Sequence, residues 1–142
     1  MQRATALALV ALILAGGAAS VASAQQPDLT QEHWYHSYAT LTLDVQAWED
    51  DYPEVVRLVS AGTTLYGRQQ WVLQISDWSV ENKSDGSPKE KVYIDGGHHG
   101  NEHLGTELAF LTAEFYIEGW GNGDTGVIEV LQSTEIHIMV LL

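Results

Sequence analysis

The sequence contains no cysteine, only 3 proline residues, and 6 Lys+Arg against 19 Asp+Glu. Without thiols the chain has no disulfide, no thiolate metal ligand and no catalytic cysteine. The acidic excess gives a formal net charge of −13 at pH 7. Such a surface repels phosphate backbones, so we expect no nucleic-acid partner. With 142 residues, 45% of them hydrophobic, the chain forms at most one small globular domain, and a low-complexity or disordered chain is excluded.

The first 24 residues have the three parts of an export signal. Met1-Gln2-Arg3 is positively charged, Ala4–Ala15 is almost wholly apolar, and Ala22-Ser23-Ala24 supplies small residues before a cleavage point. We therefore predict a cleaved signal peptide at 1–24, a mature domain at 25–142, and a secreted or periplasmic location. A retained membrane anchor is the alternative, but glycines and serines interrupt the second half of the segment. No later segment is long and apolar enough to span a membrane, so none is expected after signal removal.

Apolar spacing along the remaining chain predicts strands that alternate with helices. The predicted helices and strands are a helix at Tyr35–Asp51, strands at Val55–Ser60, Trp71–Ser76 and Val92–Ile94, a helix at Glu102–Trp120, one or two helical turns around Val127–Leu131, and a strand at Glu135–Leu142. This order predicts an α/β fold with parallel strand pairs. The apolar face of the second long helix is expected to carry Leu104, Leu108, Leu111 and Phe115, with Ala109 and Tyr116 just off the stripe. The last strand ends in five apolar residues, which predicts a buried central strand in a chain that is cut off after it.

Histidines cluster where the third predicted strand ends. Asp95 is followed by two glycines, by His98 and His99, and by Glu102 and His103 at the start of the next helix. Ligands in open α/β sheets bind beyond the carboxyl ends of strands. His99 and Glu102 are three residues apart, so both side chains can reach one metal ion from a first helical turn. Imidazole nitrogen and carboxylate oxygen are both zinc ligands, and the sequence therefore predicts Zn²⁺ bound by His99 and Glu102.

The segment Gly97–Leu108 resembles the zinc-binding segment of metallocarboxypeptidases, the peptidase M14 family. It is most similar to the branch whose motif is His-Gly-Asn-Glu, two hydrophobic residues and Gly. Upstream segments agree with the family in order and type, although Tyr66 stands where the family usually has Glu. These segments are Tyr35–Tyr38, Tyr52–Leu58, Gly62–Arg68 and Trp71–Asp77.

The resemblance implies a mixed sheet with flanking helices and zinc-dependent removal of a carboxy-terminal residue from a peptide or protein substrate. It places His99 and Glu102 on the first two zinc ligands. Asn101 stands where digestive members carry a substrate-contacting Arg. His98 and His103 have no assigned role; His98 is expected to lie near the metal or to face solvent, and His103 is expected to face outward on the helix.

Several family features have no counterpart in the 142 residues. They are the third ligand (a second His), the Asn-Pro-Asp-Gly segment, the arginines that hold the substrate carboxylate, a late Tyr, and the Glu that activates the zinc-bound water. His137 does not match the third-ligand position and is expected on the sheet surface. We therefore expect 25–142 to be the amino-terminal part of a carboxypeptidase domain, truncated after its fourth strand. Catalytic and substrate-binding residues stay unassigned, and the chain alone is expected to be inactive.

Three alternatives stay open from the sequence. His99–His103 also fits His-x-x-Glu-His, an inverted zinc motif in which both histidines bind metal and Glu is the base. That motif needs one continuous helix, whereas Gly100 favours a turn. The chain is otherwise a non-catalytic exported remnant or binding protein of the same fold, or a structural exported domain whose histidine cluster takes up no zinc.

Overall fold

Three helices and four strands lie within residues 35–141, the part of the chain that the computed structural model describes. The predicted signal peptide at 1–24 and the terminal Leu142 lie outside the described residues. No helix within the described part is long and apolar enough to cross a membrane. The helices are α1 (Tyr38–Asp51), α2 (His103–Gly121) and α3 (Thr125–Ser133), and the strands are β1 (Val56–Thr63), β2 (Gln69–Ile75), β3 (Glu90–Asp95) and β4 (Thr134–Met139).

The four strands form one mixed sheet in the order β1-β2-β4-β3. The pairs β1/β2 and β2/β4 are antiparallel, and β3/β4 is parallel. The predicted α/β fold with a mixed sheet is therefore confirmed. The prediction that the last strand is central is also confirmed, because β4 lies between β2 and β3.

One face of the sheet carries the core. Leu73 pairs with Ile138 and Ile75 with Ile136, and all four side chains are buried in one cluster with residues of the three helices. The opposite face presents the in-register row Gln74, His137 and Tyr93. His137 is thus a sheet-surface residue, as predicted. The three helices of the described residues consequently pack on a single side of the sheet.

The predicted core face of α2 is wrong. Leu104, Leu108, Leu111 and Phe115 are 64%, 55%, 50% and 61% exposed. The helix instead buries Thr106, Ala109, Phe110, Ala113 and Ile117, so that of the predicted face only Ala109 is buried and Tyr116 partly buried. The physical reason is size, because alanines at 109 and 113 let the helix axis approach the sheet more closely than leucines would. Both faces are apolar, so periodicity alone could not select between them.

Lys89 is a buried cation that joins the segment before β3 to the ends of β2 and α3. It is only 7% exposed. Its Nζ donates to Ser76 Oγ at 2.9 Å, to the Asp77 carbonyl at 2.6 Å and to the Leu131 carbonyl at 3.0 Å. Burial lowers the pKa of the Lys89 ammonium from its ordinary value of 10.5, while the negative charges of Asp77 and Glu135 act in the opposite direction.

This burial predicts a pH-dependent stability. The pKa of Lys89 is lower in the folded state. Between that folded-state pKa and 10.5, the unfolded chain therefore binds more protons than the folded chain. The free energy of unfolding should therefore gain from Lys89 as the pH rises through that interval. Lys89→Met removes this gain. Between neutral and alkaline pH, the free energy of unfolding measured with urea should therefore rise more for the native chain than for the variant. Lys91→Met, at an exposed lysine, should keep the gain, and equal pH slopes for native chain and Lys89→Met would contradict the assignment.

Candidate metal centre

The predicted ligands lie in the loop that joins β3 to α2. β3 ends at Asp95, and the Gly96 N–H still donates to the Met139 carbonyl at 2.9 Å, which extends the pairing with β4 by one residue. The chain then turns, and α2 begins at His103. His99 and Glu102 therefore stand at the carboxyl end of a strand next to the central strand, in the position expected from the sequence.

Two glycines allow this loop to lie directly on the first turns of α2. A Cβ on Gly96 would come within 2.5 Å of the Gly105 carbonyl oxygen and 2.9 Å of the Ala109 Cβ. Gly97 has a φ of +71°, and a Cβ there would come within 2.7 Å of Thr106 Oγ1. Any larger residue would therefore push the loop away from the helix. The two glycines thus fix how far the residues that follow them lie from the first turn of α2.

The structure brings His99 and Glu102 together. His99 Nδ1 lies 2.9 Å from Glu102 Oε2. The Glu102 N–H donates to the His99 carbonyl at 2.8 Å, which closes the turn between them. Their side chains are 73% and 63% exposed, so an ion from solvent can reach both donors. The turn thus holds one imidazole nitrogen and one carboxylate oxygen in direct contact and open to solvent.

The neighbouring histidines have other contacts. His98 is 65% exposed at its side chain, and its Nδ1 lies 3.6 Å from Asp95 Oδ1. The His103 ring stacks on the Tyr35 ring with centroids 5.3 Å apart. Because His99 precedes α2 and His103 is its first residue, the two histidines do not share one continuous helix. The inverted-motif alternative therefore lacks the geometry it requires.

No third ligand completes the centre in the described part of the chain. Residues 35–141 contain no group of three or more His, Cys, Asp or Glu side chains that could hold a metal ion. His137 lies on the sheet face opposite the core, where its Nε2 is 3.5 Å from Glu135 Oε2. A catalytic zinc uses three protein ligands and an open water position. The pair fits zinc as two of those ligands.

Sequence reasoning missed the contact that ties the start of α1 to α2. The His36 N–H donates to Glu107 Oε1 at 2.6 Å, and His36 Nδ1 lies 2.7 Å from Glu107 Oε2. The His36 ring also lies on Phe110, with centroids 4.0 Å apart. Glu107 follows Glu102 by about one and a half turns, so this contact anchors the part of α2 that carries the site. The partners are 71 residues apart, and no local pattern connects them.

Comparisons with known proteins agree with this geometry. The family model for zinc carboxypeptidase matches residues 43–142. The chain belongs to the zinc carboxypeptidase family. It is 32% identical over 117 residues to carboxypeptidase D of Mus musculus, covering 82% of this chain and 8% of that protein. It is 32% identical over 105 residues to the carboxypeptidase N catalytic chain of Homo sapiens, covering 74% and 22% respectively.

Solved structures of zinc carboxypeptidases have the same fold. Carboxypeptidase A from Helicoverpa armigera matches with a TM-score of 0.63 at 20% identity, over 75% of this chain and 24% of that one. The metallo-carboxypeptidase from Burkholderia cenocepacia matches with a TM-score of 0.61 at 23% identity, over 75% and 27%. The chain thus spans less than a third of these two carboxypeptidases, as it spans less than a quarter of the two curated relatives.

The glycine contact generates a prediction about the loop. Gly96→Ala should destabilise the fold by about 1–3 kcal/mol, because the added methyl group meets the backbone of α2. Gly100→Ala is the matched control, since a Cβ there has nothing within 4 Å, and it should change stability by less than about 0.5 kcal/mol. Urea unfolding of both variants measures the difference. Equal effects would show that the loop is not held against the helix.

Proposed function

We propose that this chain supplies His99 and Glu102 as two of the three protein zinc ligands of an exported metallocarboxypeptidase. The observation that carries the proposal is the 2.9 Å approach of His99 Nδ1 to Glu102 Oε2 in an exposed turn at a strand end. Family membership supports the choice of zinc, because the matching family is one of zinc carboxypeptidases.

The two proposed donors, an imidazole nitrogen and a carboxylate oxygen, are of the types that zinc binds. Zinc takes imidazole nitrogen and carboxylate oxygen readily, and the chain offers no thiolate that would favour a closed structural site. When bound, the metal polarises a carbonyl group and lowers the pKa of its water. His99 and Glu102 hold the ion, while Gly96 and Gly97 keep their turn against α2. The third ligand, the general base and the groups that bind the substrate carboxylate belong, in this proposal, to parts of the carboxypeptidase fold that this chain does not span.

The proposed substrate is a peptide or protein with a free carboxy terminus. The curated relatives are named as carboxypeptidases, which supports this class. The proposed location is outside the cytoplasm, because residues 1–24 have the composition of a cleaved signal peptide. Asn101 lies between the two ligands and is exposed, so its amide is available to a substrate bound at the metal.

The ligand assignment predicts the effect of single substitutions on zinc binding. His99→Ala or Glu102→Gln should weaken the zinc affinity of the 142-residue chain by about tenfold or more, roughly 1.4 kcal/mol, because the first removes the imidazole donor and the second replaces the charged carboxylate by a weaker, neutral amide oxygen. Competition with a chromophoric chelator measures the affinity. The loss should appear without loss of stability, since both side chains are exposed.

His103→Ala and His98→Ala are the controls for that measurement. His103 stacks on Tyr35 and His98 lies near Asp95, so neither substitution should change the affinity by more than about twofold. A collapse of affinity in His103→Ala would instead support the inverted motif. Undiminished binding in His99→Ala would contradict the assignment outright.

The proposal also predicts how the chain behaves as an enzyme. The 142-residue chain with zinc should release no carboxy-terminal residue from a peptide above the rate of a metal-only blank, because two ligands without a base leave hydroxide formation unassisted. Release of the terminal amino acid, followed by amine derivatisation with and without a chelator, measures this. Chelator-sensitive turnover would show that the chain holds a complete catalytic centre.

A further inference from the structure

Asn82 is the first residue of Asn82-Lys83-Ser84, a segment of the form Asn-x-Ser/Thr with a residue other than proline in the middle. This pattern is the acceptor sequence for N-linked glycosylation, which modifies surface loops of exported proteins. The other two asparagines of the sequence, Asn101 and Asn122, have His and Asp two positions later and do not fit the pattern. The sequence therefore offers a single candidate acceptor.

The acceptor sequence lies in the loop that joins β2 to β3. Asn82 forms an isolated antiparallel β-bridge with Pro88, and the Lys83 N–H donates to the Ser87 carbonyl at 2.9 Å. These contacts close the loop into a short ordered turn that starts at Asn82. Asn82 and Ser84 are both exposed in this turn. An enzyme that approaches from solvent can therefore reach both residues of the acceptor sequence.

The hydroxyl group of Ser84 is available, whereas that of its neighbour Ser87 is engaged. Ser87 Oγ donates to Asp85 Oδ1 at 2.6 Å, and the Ser87 N–H donates to the same oxygen at 2.9 Å. Within the described residues, the side-chain hydrogen bonds of this loop are made by Lys83, Asp85 and Ser87. The Asn82 amide and the Ser84 hydroxyl are the two groups that the acceptor sequence requires, and neither is tied up in the fold.

An open cleft beside the loop provides polar neighbours for a sugar on Asn82. The cleft has a volume of about 410 Å³ and lies between the loop and the second half of α3. Its lining from α3 includes Glu129, Gln132 and Ser133. Carboxylate, amide and hydroxyl groups form hydrogen bonds with hydroxyl groups such as those of a sugar. A sugar attached to Asn82 Nδ2 therefore has both space and hydrogen-bonding partners at this place.

The loop lies at the opposite end of β3 from the proposed zinc ligands. It ends where β3 begins at Glu90, whereas the turn with His99 and Glu102 follows the other end of the strand at Asp95. At about 3.3 Å per residue, the strand separates the two places by roughly 15–20 Å. A glycan on Asn82 would therefore leave the zinc turn open.

We propose that Asn82 carries an N-linked glycan in the exported protein. This proposal rests on the export that is part of the proposed function. The co-reactant is a lipid-linked oligosaccharide pyrophosphate. Asn82 Nδ2 loses a proton and forms a C–N bond with the anomeric carbon of the sugar. The bond from that carbon to the pyrophosphate breaks, and the lipid pyrophosphate leaves with the electron pair. The glycan then covers the loop with a bulky, soluble group.

The test uses the protein purified from the cells that naturally produce it and from their medium. After proteolysis, tandem mass spectrometry of the peptide that contains Asn82 should find a sugar on this residue in most copies of the secreted protein, and none on Asn101 or Asn122. Secreted protein without a sugar on Asn82, or with the sugar on a serine of the loop, would overturn the proposal while export stands. Protein that stays in the cytoplasm without sugar would overturn the proposal and the export together.

Two serine substitutions in the same loop form a matched pair. Ser84→Ala removes the hydroxyl group that the acceptor sequence requires, so the glycan occupancy of Asn82 should fall by about tenfold or more. Ser87→Ala removes the hydroxyl group that is bonded to Asp85 but leaves the acceptor sequence intact, so occupancy should change by less than about twofold. Ser84→Thr keeps a hydroxyl group and should keep the sugar.

Zinc affinity separates this proposal from the ligand assignment. Since the loop and the zinc turn lie at opposite ends of β3, the affinity should be the same in Ser84→Ala as in the native chain. Undiminished glycan occupancy in Ser84→Ala, or its loss in Ser87→Ala, would contradict the choice of Asn82 through its acceptor sequence. A loss of zinc binding in Ser84→Ala would contradict the independence of the two sites.

Discussion

The contact between Gly96 and the first turns of α2 is the constraint on which the site depends. The closeness of this contact leaves no room for a Cβ at Gly96, and small residues at 105, 109 and 113 continue the same close approach along the sheet. Because α2 starts where this contact places it, the turn that precedes the helix brings His99 and Glu102 side by side. Because α2 packs its small residues against the sheet, its large residues Leu104, Leu108, Leu111 and Phe115 point away from it. Site geometry and outer surface thus share one physical cause, which is the size of the side chains between helix and sheet.

Local features of the site and fold could be predicted from the sequence. The end of β3, the glycine turn and the helix start at 102–103 are each set by neighbouring residues, and the two proposed ligands are only three positions apart. Residue type and spacing were therefore nearly sufficient to predict that His99 and Glu102 lie next to each other. The central place of β4 was also predictable, because an edge strand would leave its run of apolar residues exposed. The family model and the relatives confirm the family to which these segments point.

Features that depend on distant residues could not be predicted in this way. The helical period identified α2 but not its buried face, because both faces are apolar and only contact with the sheet distinguishes alanine from leucine. The His36–Glu107 contact and the burial of Lys89 join residues 71, 13 and 42 positions apart. Neither has a local sequence signal. The glycines next to His99 were recognised as a turn, but their role as a spacer against Gly105 and Ala109 becomes visible only when the helix is in place.

The most direct test of this account is to locate the metal. Crystals of the zinc-loaded protein, measured at the zinc absorption edge, give an anomalous difference map that shows the ion independently of the protein atoms. The account predicts one strong peak within bonding distance of His99 and of the Glu102 carboxylate, about 2.0–2.2 Å from each ligand atom. A peak between His98 and Asp95, or one bound by His103, would contradict it. Either result would show that the turn after Gly96 and Gly97 does not organise the site in the way proposed.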